Sequence, residues 1–151
     1  VFLLLGIAWG LMPINPYRFR HGKWGRIFVS AAGPMMNLLI AFITLTTLAI
    51  VLSLAKEASP LHTFLFTGGF LNIVLFGFNL LPIPPLDGSV ILANLSQQIA
   101  AIYQHPKAGL AGLLFLMLLL WTNMGNLFFS FAESLAWTYV ELLYRLFHST
   151  A

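Results

Sequence analysis

Asn79-Leu80-Leu81-Pro82-Ile83-Pro84-Pro85-Leu86-Asp87-Gly88 decides how this chain is read. It closes a long apolar stretch and carries the only aspartate in the sequence. A carboxylate at membrane depth costs about 2.5–3.5 kcal/mol on insertion scales, so it marks a functional site by default. Three prolines in four residues remove backbone donors and break any helix there. Unwound backbone inside a bilayer persists only where protein buries it or where it lines a watery cavity. Carboxylate, broken helix and implied cavity therefore coincide within one short segment.

The surroundings make membrane depth the right frame. Of 151 residues, 60% are hydrophobic and 7% charged, with a mean hydropathy of +0.92. Soluble domains carry about 25% charged residues, which nearly excludes a water-exposed globule. The length fits a single domain, 1–151, here an all-α polytopic bundle of membrane helices. The net charge of +3 has no aromatic-interleaved basic surface and does not indicate nucleic acid. Cysteine is absent, which excludes a disulfide framework and a thiolate metal site.

Outward from the proline run, Leu61 to Leu81 spans the bilayer, with Gly68, Gly69 and Gly77 as close-packing points. Ile27 to Ala55 forms the preceding span, and Lys56 to Pro60 the polar break between them. Before it, Asn15 to Arg26 is a turn-rich loop holding Arg18, Arg20, Lys23 and Arg26, four of the seven basic residues. The positive-inside rule places that loop in the cytoplasm, with Tyr17, Phe19 and Trp24 at the headgroup layer. Val1 to Leu11 reaches only roughly 16 Å as a helix, short of the ~30 Å hydrocarbon core. It is expected to be the tail of a spanning helix that starts upstream.

Beyond the run, Gly88 to Tyr103 is expected to form a more polar helix, and His105-Pro106-Lys107 a basic turn. Ala108 to Trp121 is apolar but short for a span, and Thr122 to Asn126 interrupts it. From Leu127 to Phe147, Ser130, Glu133, Ser134, Glu141 and Arg145 share a face, so this helix is interfacial or packed on the bundle. The two arms are either one kinked helix or a span plus a separate helix.

Asp87 has two readings on residue type. It precedes Gly88-Ser89 and could be a helix N-cap, or it could be a metal or proton ligand in the cavity. Asn79 is either an interhelical hydrogen-bonding group or a donor to a substrate carbonyl or oxyanion. In Gly33-Pro34-Met35-Met36-Asn37, Pro34 falls in the first turns after the loop, Gly33 permits close helix approach and Asn37 needs a partner. His21, His62, His105 and His148 lie at loops or ends. None begins a His-Glu-x-x-His zinc helix, and no two have i,i+4 spacing. Ser89 lacks a nearby histidine base.

The segment from Asn79 to Gly88 closely resembles the second signature, Asn-x-x-Pro-x-Pro-x-Leu-Asp-Gly, of the site-2 protease family of intramembrane zinc metalloproteases, peptidase family M50. Ser30 to Asn37 is similar to that family's Ala-Gly-Pro-x-x-Asn helix, and Pro13 to Arg20 to the loop before it in compact members. The resemblance implies that Asp87 is one of three protein ligands of a single zinc ion. It implies that Asn79 holds the substrate backbone or the oxyanion, with Gly33, Pro34, Asn37, Pro82, Pro84 and Gly88 supporting the site. Three ligands leave zinc a fourth position for the hydrolytic water. The His-Glu-x-x-His helix, two ligands and the base, belongs upstream in family order and is absent from these 151 residues. The implied function is an integral-membrane metalloendopeptidase, in a prokaryotic cell membrane, acting on membrane-embedded protein substrates among lipid. Its rivals are a non-catalytic homologue that binds membrane partners, and a transporter fragment with a broken-helix ion site.

Overall fold

The computed structural model describes residues 22–54 and 59–149. Among these residues six helices run in chain order: α1 (Gly22–Leu54), α2 (Pro60–Leu80), α3 (Asp87–Leu95), α4 (Gln97–Tyr103), α5 (Ala108–Trp121) and α6 (Asn123–Ser149). No strand occurs among the described residues, so the expected all-α class holds. Helices α1 and α2 are each long and apolar enough to cross a membrane, and the bent pair α5–α6 makes up to three spans. The apolar run at Val1 to Leu11, most of the basic loop, and the break around Lys56 lie outside the described residues.

Helix α1 starts earlier than expected. Gly22 to Arg26, read as loop from its turn-forming residues, is already helical. Pro34 therefore lies deep in the helix interior rather than in its first turns. There its missing N–H leaves the carbonyl one turn earlier without its usual helical donor. Thr44, Thr47 and Ser53 donate their hydroxyls to carbonyls three or four residues back, at 2.7–2.8 Å. This satisfies polar side chains that an apolar environment would leave unpaired.

Helix α2 opens on Ser59, whose side chain accepts from the Leu61 N–H at 3.3 Å. His62 completes a reciprocal capping box by accepting the Ser59 N–H on Nδ1 at 3.3 Å. That fixes the ring, and the buried Nε2 finds no partner among the described residues. Pro60 at the first helical position loses no intrahelical bond.

Gly69 brings α1 and α2 together: a β-carbon there would stand 2.4 Å from Leu45 Cγ. Gly77 does the same for the Phe128 ring of α6, at 2.7 Å, whereas Gly68 faces open space. Leu45, Leu48 and Ala49 of α1, Leu65 of α2, and Ala136 and Val140 of α6 form the core. Ala132, Ala136 and Val140 recur every fourth residue, a narrow seam that lets α6 lie against both spans. Helix α6 runs antiparallel to α2, with Phe128 against Phe78 at 4.5 Å near one end and Trp137 against Phe66 at 4.3 Å near the other. Thr46 and Tyr139 hydroxyls hydrogen-bond across the α1–α6 contact at 2.9 Å.

The second half of the fold turns on a bend. Helices α5 and α6 are two rods bent by 76° at Thr122. Gly125 permits the bend, because a β-carbon there would meet the Leu120 carbonyl oxygen at 2.5 Å. Asn123 to Asn126, expected as part of the break, are the first turn of α6. Helix α6 packs on the bundle through its alanine seam, and Ser130, Glu133, Ser134, Glu141 and Arg145 all stay exposed. Gly88 to Tyr103, expected as one helix, is two, parted at Ser96 in an extended conformation.

Candidate metal-binding site

The turn from Leu81 to Leu86 is built by what prolines cannot do. Helix α2 ends as the Leu81 N–H bonds back to the Phe78 carbonyl at 3.0 Å. Pro82, Pro84 and Pro85 supply no N–H to continue. Within the turn the Leu86 N–H reaches the Ile83 carbonyl at 2.9 Å, and the chain re-enters a helix at Asp87.

Leu86, not Asp87, occupies the N-cap position of α3. The Ser89 N–H and hydroxyl both donate to the Leu86 carbonyl, at 3.0 and 2.6 Å. Asp87 is the first helical residue, and its side chain caps nothing. The capping reading is thereby overturned: the extended cap position belongs to Leu86, and Asp87 is already helical. Its carboxylate makes no hydrogen bond within the described residues.

Three close approaches surround the segment that carries this carboxylate. Gly88 packs against the end of α2, where a β-carbon would stand 2.3 Å from the Leu80 carbonyl oxygen and 2.5 Å from that of Leu81. Gly33 of α1 faces the carboxylate itself, with Oδ2 at 3.3 Å from where its β-carbon would be. Gly112 of α5 lies on the turn, where a β-carbon would overlap the Pro84 carbonyl oxygen. The Tyr103 hydroxyl, at the end of α4, donates to the Pro82 carbonyl at 2.5 Å. Gly112 and Tyr103 carry no motif that sequence reasoning could have used.

Asn37 lies one turn beyond Gly33 on the same side of α1. Asn79 is the penultimate residue of α2. Both side chains are partly buried, and neither makes a hydrogen bond within the described residues. Pro34 is buried. Gly33, Asp87 and Gly88 are thus brought together, and Pro82 and Pro84 form the turn beneath them.

Asp87 lies outside the two spanning helices, and burial raises its carboxyl above the ordinary carboxylate value. The N-terminus of α3 opposes this by favouring negative charge, and a bound cation would reverse it. A partly buried carboxylate that faces a glycine and makes no hydrogen bond among the described residues has the chemistry of a metal ligand. No three His, Cys, Asp or Glu side chains gather among the described residues, so these residues alone do not make a complete ligand set. A groove of about 710 Å³ lined by Leu52, Ser53, Trp137, Glu141 and His148 is remote from this site. Along α1, Ser53 is about 30 Å from Gly33.

Comparison with known proteins bears on the family. The model of peptidase family M50 matches residues 48–122, which include the whole proline turn and Asp87. "Putative zinc metalloprotease YwhC" of Bacillus subtilis is 38% identical over 101 residues, covering 63% of this chain and 46% of that protein. "Putative zinc metalloprotease MJ0611" of Methanocaldococcus jannaschii is 38% identical over 64 residues, 42% of this chain and 31% of that protein. The matches thus span less than half the length of these relatives. No solved structure matches the chain. Through residues 48–122, which carry the proline turn and the aspartate, the chain belongs to peptidase family M50.

Proposed function

We propose that this chain is the aspartate-bearing part of an intramembrane zinc metalloendopeptidase that hydrolyses peptide bonds of membrane-embedded protein substrates. The observation that carries the reading is the Asp87 carboxylate: partly buried, facing Gly33, and without a hydrogen bond among the described residues. Asp87 would be one of three protein ligands of one zinc ion. The other two, with the general base, would come from a His-Glu-x-x-His helix outside this sequence. Zinc, when bound, polarises the scissile carbonyl and lowers the pKa of the hydrolytic water.

The chain's own residues do the rest. Asn79, whose side-chain amide makes no hydrogen bond among the described residues, would hold the substrate backbone or a developing oxyanion. It lies in the last turn of α2, three residues before the proline break that leads to Asp87. Gly33 faces the carboxylate, and Pro34 and Asn37 would support the site from the same stretch of α1. The basic residues Arg18, Arg20, Lys23 and Arg26 put the start of α1, and with it the Asp87 end of the bundle, on the cytoplasmic side of a prokaryotic membrane. The partners are lipid and transmembrane protein substrates.

Asp87→Ala in the full-length protein tests the reading. Loss of both stoichiometric zinc and cleavage of a reconstituted transmembrane substrate is expected. Full retention of either would sink it.

A further inference from the structure

We propose that the α4–α5 corner is a clasp that sets the position of Asp87, with Tyr103 and Gly112 as its positioning residues. The inference rests on the reading of Asp87 as a zinc ligand. It starts from a shortage of donors. Three of the six residues from Leu81 to Leu86 are prolines, so the turn can hold itself through few N–H groups. One backbone bond, Leu86 to Ile83, lies within it. Such a turn must be fixed through its carbonyls, by groups from elsewhere.

Both fixing groups come from one hairpin. Tyr103 reaches back across twenty-one residues to donate its hydroxyl to the Pro82 carbonyl. Gly112 lays the α5 backbone on the Pro84 carbonyl so closely that no β-carbon fits. Between them, the corner at His105 is itself bonded: the Lys107 N–H donates to His105 Nδ1 at 3.3 Å, and the Ala108 N–H to the His105 carbonyl at 2.9 Å. The clasp therefore grips alternate carbonyls, Pro82 and Pro84, immediately before Asp87. Gly88 fixes the other side of the aspartate against Leu80 and Leu81. Neither Tyr103 nor Gly112 touches the carboxylate, so their effect on a metal is through the geometry of its ligand, as for outer-shell partners elsewhere.

The test compares the full-length protein with Tyr103→Phe, Gly112→Ala, Gly109→Ala and Asp87→Asn. Zinc affinity is read by chelator competition in detergent, and thermal unfolding of the metal-free protein is read alongside. Tyr103→Phe removes one hydroxyl and should weaken zinc binding about tenfold while metal-free unfolding stays at the wild-type temperature. Gly112→Ala should weaken zinc binding further. Gly109, one turn earlier and facing open space, should bind as wild type when changed to alanine. Wild-type zinc affinity in Tyr103→Phe, or a loss that merely tracks lower thermal stability, would overturn the clasp. Zinc bound equally well without the Asp87 carboxylate would instead overturn the reading of the site, and the clasp with it.

Discussion

Gly33 of α1 and Asp87 of α3 face each other, with Oδ2 of the carboxylate 3.3 Å from where a Gly33 β-carbon would stand. That distance is a few tenths of an ångström tighter than an ordinary contact, so any side chain at residue 33 must move the carboxylate or be moved by it. The helix itself would welcome the change, since alanine is favoured over glycine in a helix interior by about 0.8–1.0 kcal/mol. Gly33→Ala should therefore leave thermal stability equal or slightly raised while lowering peptidase activity of the full-length protein. Misplacing a catalytic group by about 1 Å can cost on the order of a hundredfold in rate, so a drop of about tenfold is expected for alanine and a larger one for valine. Unchanged kcat/KM in both variants would show that this face of the carboxylate is idle.

Gly88 answers to a different constraint. Its missing β-carbon would meet backbone, the carbonyls of Leu80 and Leu81 at 2.3 and 2.5 Å, and backbone of a proline-locked turn has nowhere to retreat. Gly88→Ala should separate the end of α2 from the start of α3 and destabilise the fold by about 1–3 kcal/mol. Urea unfolding in detergent checks this. A midpoint within error of wild type would mean that the turn is looser than its geometry states.

These two glycines show what could be read without coordinates. The span before the turn was legible because Ser59-Pro60 and Pro82 punctuate an uninterrupted apolar run, and turn chemistry acts locally. That Gly33 faces Asp87 was not legible from local chemistry, since the two lie on different helices; only the resemblance of both segments to one family put them in one site. Gly112 was illegible altogether. It stands in the same apolar run as Gly109, yet one is crowded by Pro84 and the other is open, a difference that only tertiary packing creates. The start of α1 was misread because Gly22 and Gly25 favour turns in isolation, whereas in the fold their segment continues a helix of 33 residues. The bend at Thr122 was marked by its polar residues, but its 76° angle depends on Gly125 meeting Leu120.

The exposed pair Arg145–Glu141 on α6 should matter little. Both side chains are more than half exposed, and an i,i+4 pair of this kind contributes a few tenths of a kcal/mol. Arg145→Ala should change unfolding by less than about 0.5 kcal/mol at moderate salt. A larger loss would mean that the polar face of α6 has a partner in the full-length protein.

Gly69 and Leu45 offer a test of the bundle that does not depend on the reaction. A β-carbon at residue 69 would lie 2.4 Å from Leu45 Cγ, and Leu45 is 2% exposed at the centre of the core. Gly69→Ala should thus destabilise the protein by about 1–3 kcal/mol through overpacking. Leu45→Ala alone should cost about 2–5 kcal/mol by opening a cavity between α1, α2 and α6. The two changes share one volume, so their effects should not add. The double variant should be more stable than the sum of the single losses, with a coupling of about 0.5–3 kcal/mol. A double-mutant cycle in detergent reads that coupling directly, and strict additivity would mean that α1 and α2 do not meet at this glycine.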